Sequence, residues 1–477
     1  MKQKGILRTI SLIITLVLFC TFNTNIVYAQ ENEEYYKKSI NQKCINLDWA
    51  KLSWDDLDWS KLDYGIYWYG MGNKPYKFIP NQVNPAFDPS KPTIIYVHGW
   101  QPDYSIIKHR ESFYFYGKNS ADEWIKNGWN VGVFYWNQFS DEINVEDAEA
   151  KIWTINSDKG MRWRKGDGTY DSSNVIRKNA AELFYDEYVK ALNGYKGNEI
   201  RIAGHSLGSQ MTIRLTKLIS DNVDKGNISH ELLPSRVALL DPYFSNLGKS
   251  YINNKWTGDV ASDYIEKLIK DKNIPFEFYK SSALTGGITG DENFKLREMC
   301  AYTEIRPLFH IQAQQIEKHY DGKYNYFCSY EGKPPIEYVG LTPTGNVAAS
   351  SKTPTLRIAE MMGGKYYWRQ LSGRYTEASS DDTYQRISRF ISTVSVSELE
   401  LDKSNTNLKV GQYINIKANI KPTNATNKIV LWSSSDDSIA KVCVDGQVKG
   451  VGVGTANIKC ITADGNIEKV CKVNVTK

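Results

Sequence analysis

Two periodicities alternate along most of this chain. Short runs of β-branched and aromatic residues, each closing in a turn, are followed by stretches whose apolar positions recur at helical spacing. Thr93 to His98, Asn130 to Trp136, Glu199 to Ala203, Arg236 to Leu240 and Phe276 to Lys280 read as strands, as does the stretch near Met299 to Ile305. Val175 to Leu192 and Gln210 to Ile219 read as helices. Such alternation predicts an α/β fold, a mostly parallel sheet with helices on both faces. Around Val394 the pattern changes. The remainder is rich in Ser, Thr, Asn, Lys and Val, alternates as in Tyr413 to Ala418, and carries turn signals at Asp445-Gly446 and Asp464-Gly465. That predicts a small all-β sandwich of about 80 residues.

The N-terminal end follows neither pattern. A basic start (Lys2, Lys4, Arg8), an apolar run from Ile10 to Cys20, and Val27-Tyr28-Ala29 ahead of Gln30 read as a secretory signal peptide over residues 1–29. No later segment approaches the ~20 apolar residues of a membrane span. The mature protein is therefore expected outside the cell, with attachment to the cell surface left open. Residues 30–92 make an N-terminal segment with a repeat of five between Leu47 and Gly65: Leu47-Asp48-Trp49, Leu52-Ser53-Trp54, Leu57-Asp58-Trp59, Leu62-Asp63-Tyr64. Four such units cannot cover their own apolar faces, so the segment is expected to pack on the main domain, residues 93–393, with residues 394–477 as the sandwich. An aromatic surface for lipid or a partner is the other reading of the repeat.

Charge and cysteine narrow the partners. Removing the signal takes three cations and no anion from a net charge of +5, leaving +2. Nothing there points to nucleic acid. Six cysteines follow the signal, at 44, 300, 328, 443, 460 and 471. An oxidising compartment permits disulfides, and Cys300 with Cys328 plus one pair among the last three are the expected bridges. No Cys/His cluster has zinc spacing, and neither metal nor cofactor is expected, a structural calcium ion being left open.

The chemistry concentrates in Gly204-His205-Ser206-Leu207-Gly208, lying between the strand at Glu199 and the helix at Gln210. A serine on so sharp a strand-to-helix turn is a nucleophile elbow, its hydroxyl aimed outward and flanked by glycines that avoid collision with strand and helix. The hydroxyl needs a base, and the base needs a carboxylate to fix its tautomer. Asp241 follows the first strand after the elbow and precedes Pro242; Asp291, in a Gly-rich loop, is the alternative acid. Of six histidines, His98 and His205 sit in the loop motifs, His109 precedes the elbow and His230 precedes the acid. His319, in the polar, turn-like stretch Lys318-His319-Tyr320-Asp321-Gly322, is preferred over His310, whose neighbours Pro307-Leu308-Phe309 are apolar. Two oxyanion donors are needed as well. The backbone N–H of Leu207 is one, and the N–H of Trp100, after Gly99 at the end of an early strand, is the other.

Taken in order, His98-Gly99-Trp100, Val133-Phe134-Tyr135-Trp136, the Ser206 pentapeptide, Leu240-Asp241-Pro242 and the His319 segment resemble lipases of the α/β-hydrolase fold, the pancreatic-type lipases and their phospholipase A1 relatives foremost. That group carries its acid after the strand following the elbow strand, as Leu-Asp-Pro does here. The resemblance spans about Thr93 to Tyr330 and implies Ser206 as nucleophile, Asp241 and His319 as its partners, and Trp100 and Leu207 as the oxyanion hole. The cysteine that often precedes the family's histidine is Lys318, and Tyr243 to Lys318 is too long to map a lid. In the C-terminal region, Leu408 to Gln412, Val430 to Ser435, Asp445 to Val448 and Gly452 to Ile458 resemble bacterial immunoglobulin-like modules, which implies a spacer or a contact to cell wall or carbohydrate.

The expectation is a secreted serine carboxylester hydrolase, a lipase acting on acylglycerols at an interface. A phospholipase A1 or short-chain esterase with the same machinery is the alternative, and a non-catalytic surface-binding protein is the reading from another class. Tyr104 to Tyr116 and Trp153 to Trp163 are candidates for a lid or lipid-facing rim, although aromatic rings are more often core.

Overall fold

The computed structural model describes residues 57–477, apart from 174, 288 and 378. Residues 1–29, read above as a signal peptide, the repeat up to Asp56, and Cys44 lie outside the described residues. The centre is a sheet of twelve strands: β1 (Gly65–Gly70), β2 (Lys74–Lys77), β3 (Thr93–Val97), β4 (Asn130–Tyr135), β5 (Ile200–His205), β6 (Arg236–Leu240), β7 (Phe276–Lys280), β8 (Ala301–Glu304), β9 (Ile336–Val339), β10 (Thr342–Val347), β11 (Tyr366–Ser372) and β12 (Thr383–Ser388). Their spatial order is β10-β9-β12-β11-β8-β7-β6-β5-β3-β4-β1-β2. The run from β4 through β3, β5, β6, β7 and β8 to β11 is parallel throughout. Antiparallel pairs are confined to the flanks.

Burial explains the strands. Every residue of β3, β4, β5 and β6 is buried, as a parallel strand covered on both faces requires, so these segments read as continuous rather than alternating apolar runs. The longer helices are α1 (Ser120–Lys126), α2 (Val145–Trp153), α3 (Ala180–Ala191), α4 (Leu207–Asp224), α5 (Thr257–Lys272) and α6 (Gln315–Cys328). The helix predicted over Val175 to Leu192 starts only at Ala180, because Asn179 and Glu182 close a reciprocal capping box there. From β3 the chain moves outward to β4, then returns to place β5 on the other side of β3. The carboxyl ends of β3 and β5 therefore flank the switch point where open α/β sheets hold their ligands. With an elbow at that point, this is the α/β-hydrolase fold.

Several expectations change. Residues 30–92 were read as an accessory segment, yet β1 and β2 within it extend the central sheet, since β1 is buried along its length and pairs with β4. Of the repeat, Trp59 is buried, and Leu62 and Tyr64 pack against the core. Of the aromatic stretches proposed as lid or rim, Phe113, Phe115, Trp153 and Trp163 belong to the core, whereas Ile106, Ile107 and Tyr114 of the first stretch stay exposed. The expected disulfides are absent among the described residues, where all five cysteines are free. Cys300 and Cys328 end two different helical segments. Cys460 stands opposite Lys469 while Cys471 stands opposite Ile458, so these two are out of register for a bridge.

Residues from Glu398 to Thr476 form nine short strands in three small sheets of two, four and three strands, with their own core of Leu408, Ile416, Val448, Ile458, Val473 and Val475. Ile429 and Ala463 from this module join the hydrolase core instead. Polar contacts stitch the rest of the seam. Asn427 Nδ2 donates to Ala359 O at 2.8 Å, Lys441 Nζ donates to Gly197 O at 2.8 Å, and His230 Nδ1 lies 2.6 Å from Asp445 Oδ2. Lys272 adds a cation 3.5 Å from the same carboxylate. A cleft of about 970 Å³ runs along this seam, bounded in part by His230, Asn427, Trp432 and Asp445.

Candidate active site

Ser206 is the hinge between β5 and α4, with φ 56° and ψ −125°. A non-glycine residue held there costs on the order of 1–3 kcal/mol and persists only where its surroundings over-determine it. Here they do. Ser206 N–H donates to Leu240 O at 3.1 Å, and Tyr243 N–H donates to Ser206 O at 3.3 Å, so the elbow is bonded to the strand that carries the acid. A Cβ at Gly204 would lie 2.3 Å from Gly208 O, and one at Gly208 would lie 2.2 Å from Val97 O. Both glycines are thus required by contact, as the pentapeptide suggested. Read from sequence as outward-facing, Ser206 is in fact only 8% exposed, because the loops after β3 and β6 close around it.

Asp241 follows β6, fully buried, in the left-handed region at φ 41°. Its Oδ2 lies 2.7 Å from His319 Nδ1. The same carboxylate accepts from Ser281 N–H at 3.0 Å, from Thr285 Oγ1 at 3.1 Å and from the Ser282 hydroxyl. Burial would raise this carboxyl, but the His319 hydrogen bond, the Lys280 charge and these donors outweigh it and hold it well below the usual carboxylate range. His319 lies inside α6 rather than in a turn. The Asp321-Gly322 signal has another cause: a Cβ at Gly322 would meet Ser281 Oγ at 3.0 Å and Asp241 Cβ at 3.1 Å, so the glycine lets the helix approach the acid.

The other histidines sort clearly. His205 Nε2 donates to His319 O at 3.0 Å, their rings are 4.3 Å apart, and burial holds the His205 imidazole well below its ordinary value. A neutral His205 thus braces the backbone of His319 from the residue beside Ser206. His98 accepts from Trp136 N–H at 3.1 Å through Nε2 and donates from Nδ1 to Gly99 O at 3.0 Å, its pKa lowered to about 4 by burial. His310 Nε2 lies 3.2 Å from Asp321 Oδ2, a carboxyl that burial raises to about 7, and not beside Asp241. Asp291, the alternative acid, accepts Asn293 N–H within its own turn at 2.9 Å. The geometry therefore pairs His319 with Asp241 and leaves both alternatives elsewhere.

A Cβ at Gly99 would sit 2.6 Å from Ser206 Cβ and 3.1 Å from Ser206 Oγ, which puts the His98-Gly99-Trp100 loop against the serine. Leu207 is the first residue of α4, so its N–H has no intrahelical acceptor. Sequence reasoning missed the donors to Asp241, the brace from His205 and the role of Gly322. Small polar residues directly after β7 were the one local signal for the donors. No group of three or more His, Cys, Asp or Glu able to hold a metal occurs among the described residues.

Residues 395–473 match the bacterial Ig-like domain (group 2) family. An Ig-like virion protein of Serratia phage KSP90 is 38% identical over 84 residues, 17% of this chain and 33% of that protein. An alpha-L-arabinofuranosidase of Bifidobacterium longum is 45% identical over 60 residues, 13% of this chain and 6% of that enzyme. The chain spans only 8%, 33% and 19% of three such relatives' lengths. Among solved structures, the poly(3-hydroxybutyrate) depolymerase LpqC of Bordetella parapertussis has a TM-score of 0.25 at 13% identity, covering 52% of this chain and 77% of its own. So low a score carries no argument, and the hydrolase fold is assigned from strand order and elbow.

Proposed function

We propose that this protein is a serine carboxylester hydrolase, and that its substrates are acylglycerols presented at a lipid interface. One observation carries the reading: the His319 Nδ1 to Asp241 Oδ2 contact of 2.7 Å beside a serine held at φ 56°. With Nδ1–H donated to Asp241, neutral His319 keeps its basic lone pair on Nε2. In the proposed cycle Nε2 takes the Ser206 proton as Oγ attacks the ester carbonyl. Asp241 stabilises the imidazolium, which then protonates the leaving alcohol. The N–H groups of Trp100 and Leu207 hold the tetrahedral oxyanion, whose collapse expels the alcohol and leaves Ser206 acylated. Water, deprotonated by His319 Nε2, then attacks that acyl carbon, and collapse of the second tetrahedral intermediate releases the acid and restores the Ser206 hydroxyl. No step calls on a cofactor or metal.

Phospholipase A1 and short-chain esterase activities use the same machinery, so a panel of triacylglycerols, phospholipids and 4-nitrophenyl esters separates them. Labelling of Ser206 by an alkyl phosphonate tests the reading itself; an unlabelled serine in folded protein overturns it. The basic, apolar start of the chain and the Ig-like match support export and a surface setting. A carbohydrate or cell-wall contact through residues 395–473 is the proposed task of the module, in keeping with its occurrence in the Bifidobacterium enzyme. Binding of the isolated glycan and wall fractions by full-length protein tests that assignment.

A further inference from the structure

The loop that carries the proposed oxyanion donor lacks regular structure of its own from His98 to Pro102. Its position is set from outside, by the segment that follows β4. Trp136 Nε1 donates to His98 O at 2.9 Å, and Trp100 Nε1 donates to Glu142 O at 2.7 Å. Farther along, Asp141 accepts Asp103 N–H on Oδ1 at 2.7 Å and Ser105 N–H on Oδ2 at 2.8 Å. One fully buried carboxylate thus grips two backbone amides of the loop with both oxygens. Arg164 Nη1 bonds the same Oδ1 at 2.9 Å and Asp103 Oδ1 at 2.8 Å. Glu142 is anchored in turn: Lys151 Nζ lies 2.5 Å from its Oε1, and Arg162 Nε donates to that oxygen at 2.8 Å.

Resting on the hydrolase reading, we infer that Asp141 is a positioning residue for the oxyanion hole: its carboxylate fixes the loop Trp100 to Ser105 so that the Trp100 N–H is preset for the tetrahedral intermediate. A preset donor needs no reorganisation when charge develops, and removal of such a donor costs about 10²–10³-fold in rate. Displacement of about 1 Å by a change outside the site costs about 10²-fold. Ground-state binding of the ester does not depend on that donor, so the defect belongs in kcat rather than KM.

The test uses the full chain and 4-nitrophenyl butyrate, with phenylboronic acid as the tetrahedral mimic. Asp141→Ala is expected to lower kcat on the order of 10²-fold, leave KM within about twofold, and weaken phenylboronic acid in proportion to the loss in kcat/KM. Asp141→Asn keeps one acceptor and is expected to lose about tenfold, which also supplies a readable variant should the alanine protein not fold. Asp445→Asn, which loosens the distant seam, controls for lost stability and is expected to keep wild-type kcat. An active wild type with Asp141→Asn unchanged in kcat and in boronate affinity overturns this inference alone. A wild type that neither turns over the ester nor binds the boronate overturns the hydrolase reading and this inference with it.

Discussion

Two polar assemblies lie at opposite edges of the central sheet. The crevice of Ser206, Asp241 and His319 occupies the carboxyl ends of β5, β6 and the segment after β8, whereas the seam with the Ig-like module engages residues that precede strands: Gly197 before β5, His230 before β6, Lys272 before β7 and Ala359 before β11. In the crevice, backbone contacts do much of the positioning, through glycines at fixed offsets and a serine at φ 56°. In the seam, single side chains reach across from distant parts of the chain. The contrast shows why one edge can be read from the sequence and the other cannot: a turn imposes residue types at set spacing, while a contact between residues 230 and 445 leaves no local trace.

The largest expected effect breaks the crevice. Ser206→Ala and His319→Ala should each lower kcat on the order of 10⁴-fold or more on 4-nitrophenyl butyrate, with far-ultraviolet circular dichroism unchanged. A pure variant that retains activity refutes the assignment of that residue.

Next comes the seam. Deleting residues 394–477 removes Ile429 and Ala463 from the hydrolase core and leaves Ala359 O without the Asn427 donor. The expected cost is roughly 3 kcal/mol, read as a lower urea midpoint, with kcat per folded molecule within about twofold. A folded truncation that loses the soluble ester would place the module in the catalytic unit.

Acid should affect stability through His98, which is buried neutral with a pKa of about 4 against an ordinary 6.5. Between those values the unfolded chain binds a proton that the folded protein refuses, so stability present at neutral pH is lost as pH falls from about 6.5 to about 4. The His98 contribution is on the order of 3 kcal/mol. Asp321, raised to about 7, opposes it, since its folded carboxyl holds a proton that the unfolded one has lost. Asp382, raised to about 6 by burial, opposes it as well, so the test is the difference between proteins. Urea titrations at pH 7 and pH 4.5 should show Asp321→Asn losing more stability on acidification than the wild type, and a smaller loss in that variant would reverse the sign assigned to Asp321. The smallest effect sharpens the crevice itself. His310→Ala should leave kcat within about twofold, because its partner is Asp321 and not Asp241; a dead enzyme would transfer the catalytic role to His310.

Much of the fold was legible for a physical reason. Buried parallel strands are continuous apolar runs, and β3 to β8 announce themselves that way. The flanking strands β2 and β9 to β12 did not, because partly exposed positions mix polar residues into the pattern, and β1, although buried, was read as part of the N-terminal segment. Within the site, Ser206, Asp241 and the Trp100 loop followed from turns at strand ends. His319 was placed in a turn because Asp321-Gly322 mimics one, when Gly322 serves the close approach to Asp241. Asp141 had no signal at all, since an acid after a helical turn is ordinary in sequence and becomes particular only through the amides of Asp103 and Ser105.

The interlock of Gly99, Gly204 and Gly208 bears on how such an enzyme can be redesigned. Because Gly204 and Gly208 hold the Ser206 turn by backbone against backbone and Gly99 packs on the serine side chain itself, the aim of Ser206 is independent of whichever side chains line the surrounding loops. On the proposed ester-hydrolase reading, a library that freezes these three positions and randomises the surrounding loops varies substrate preference without moving Ser206, whereas one that includes them mostly samples proteins whose serine has lost its turn.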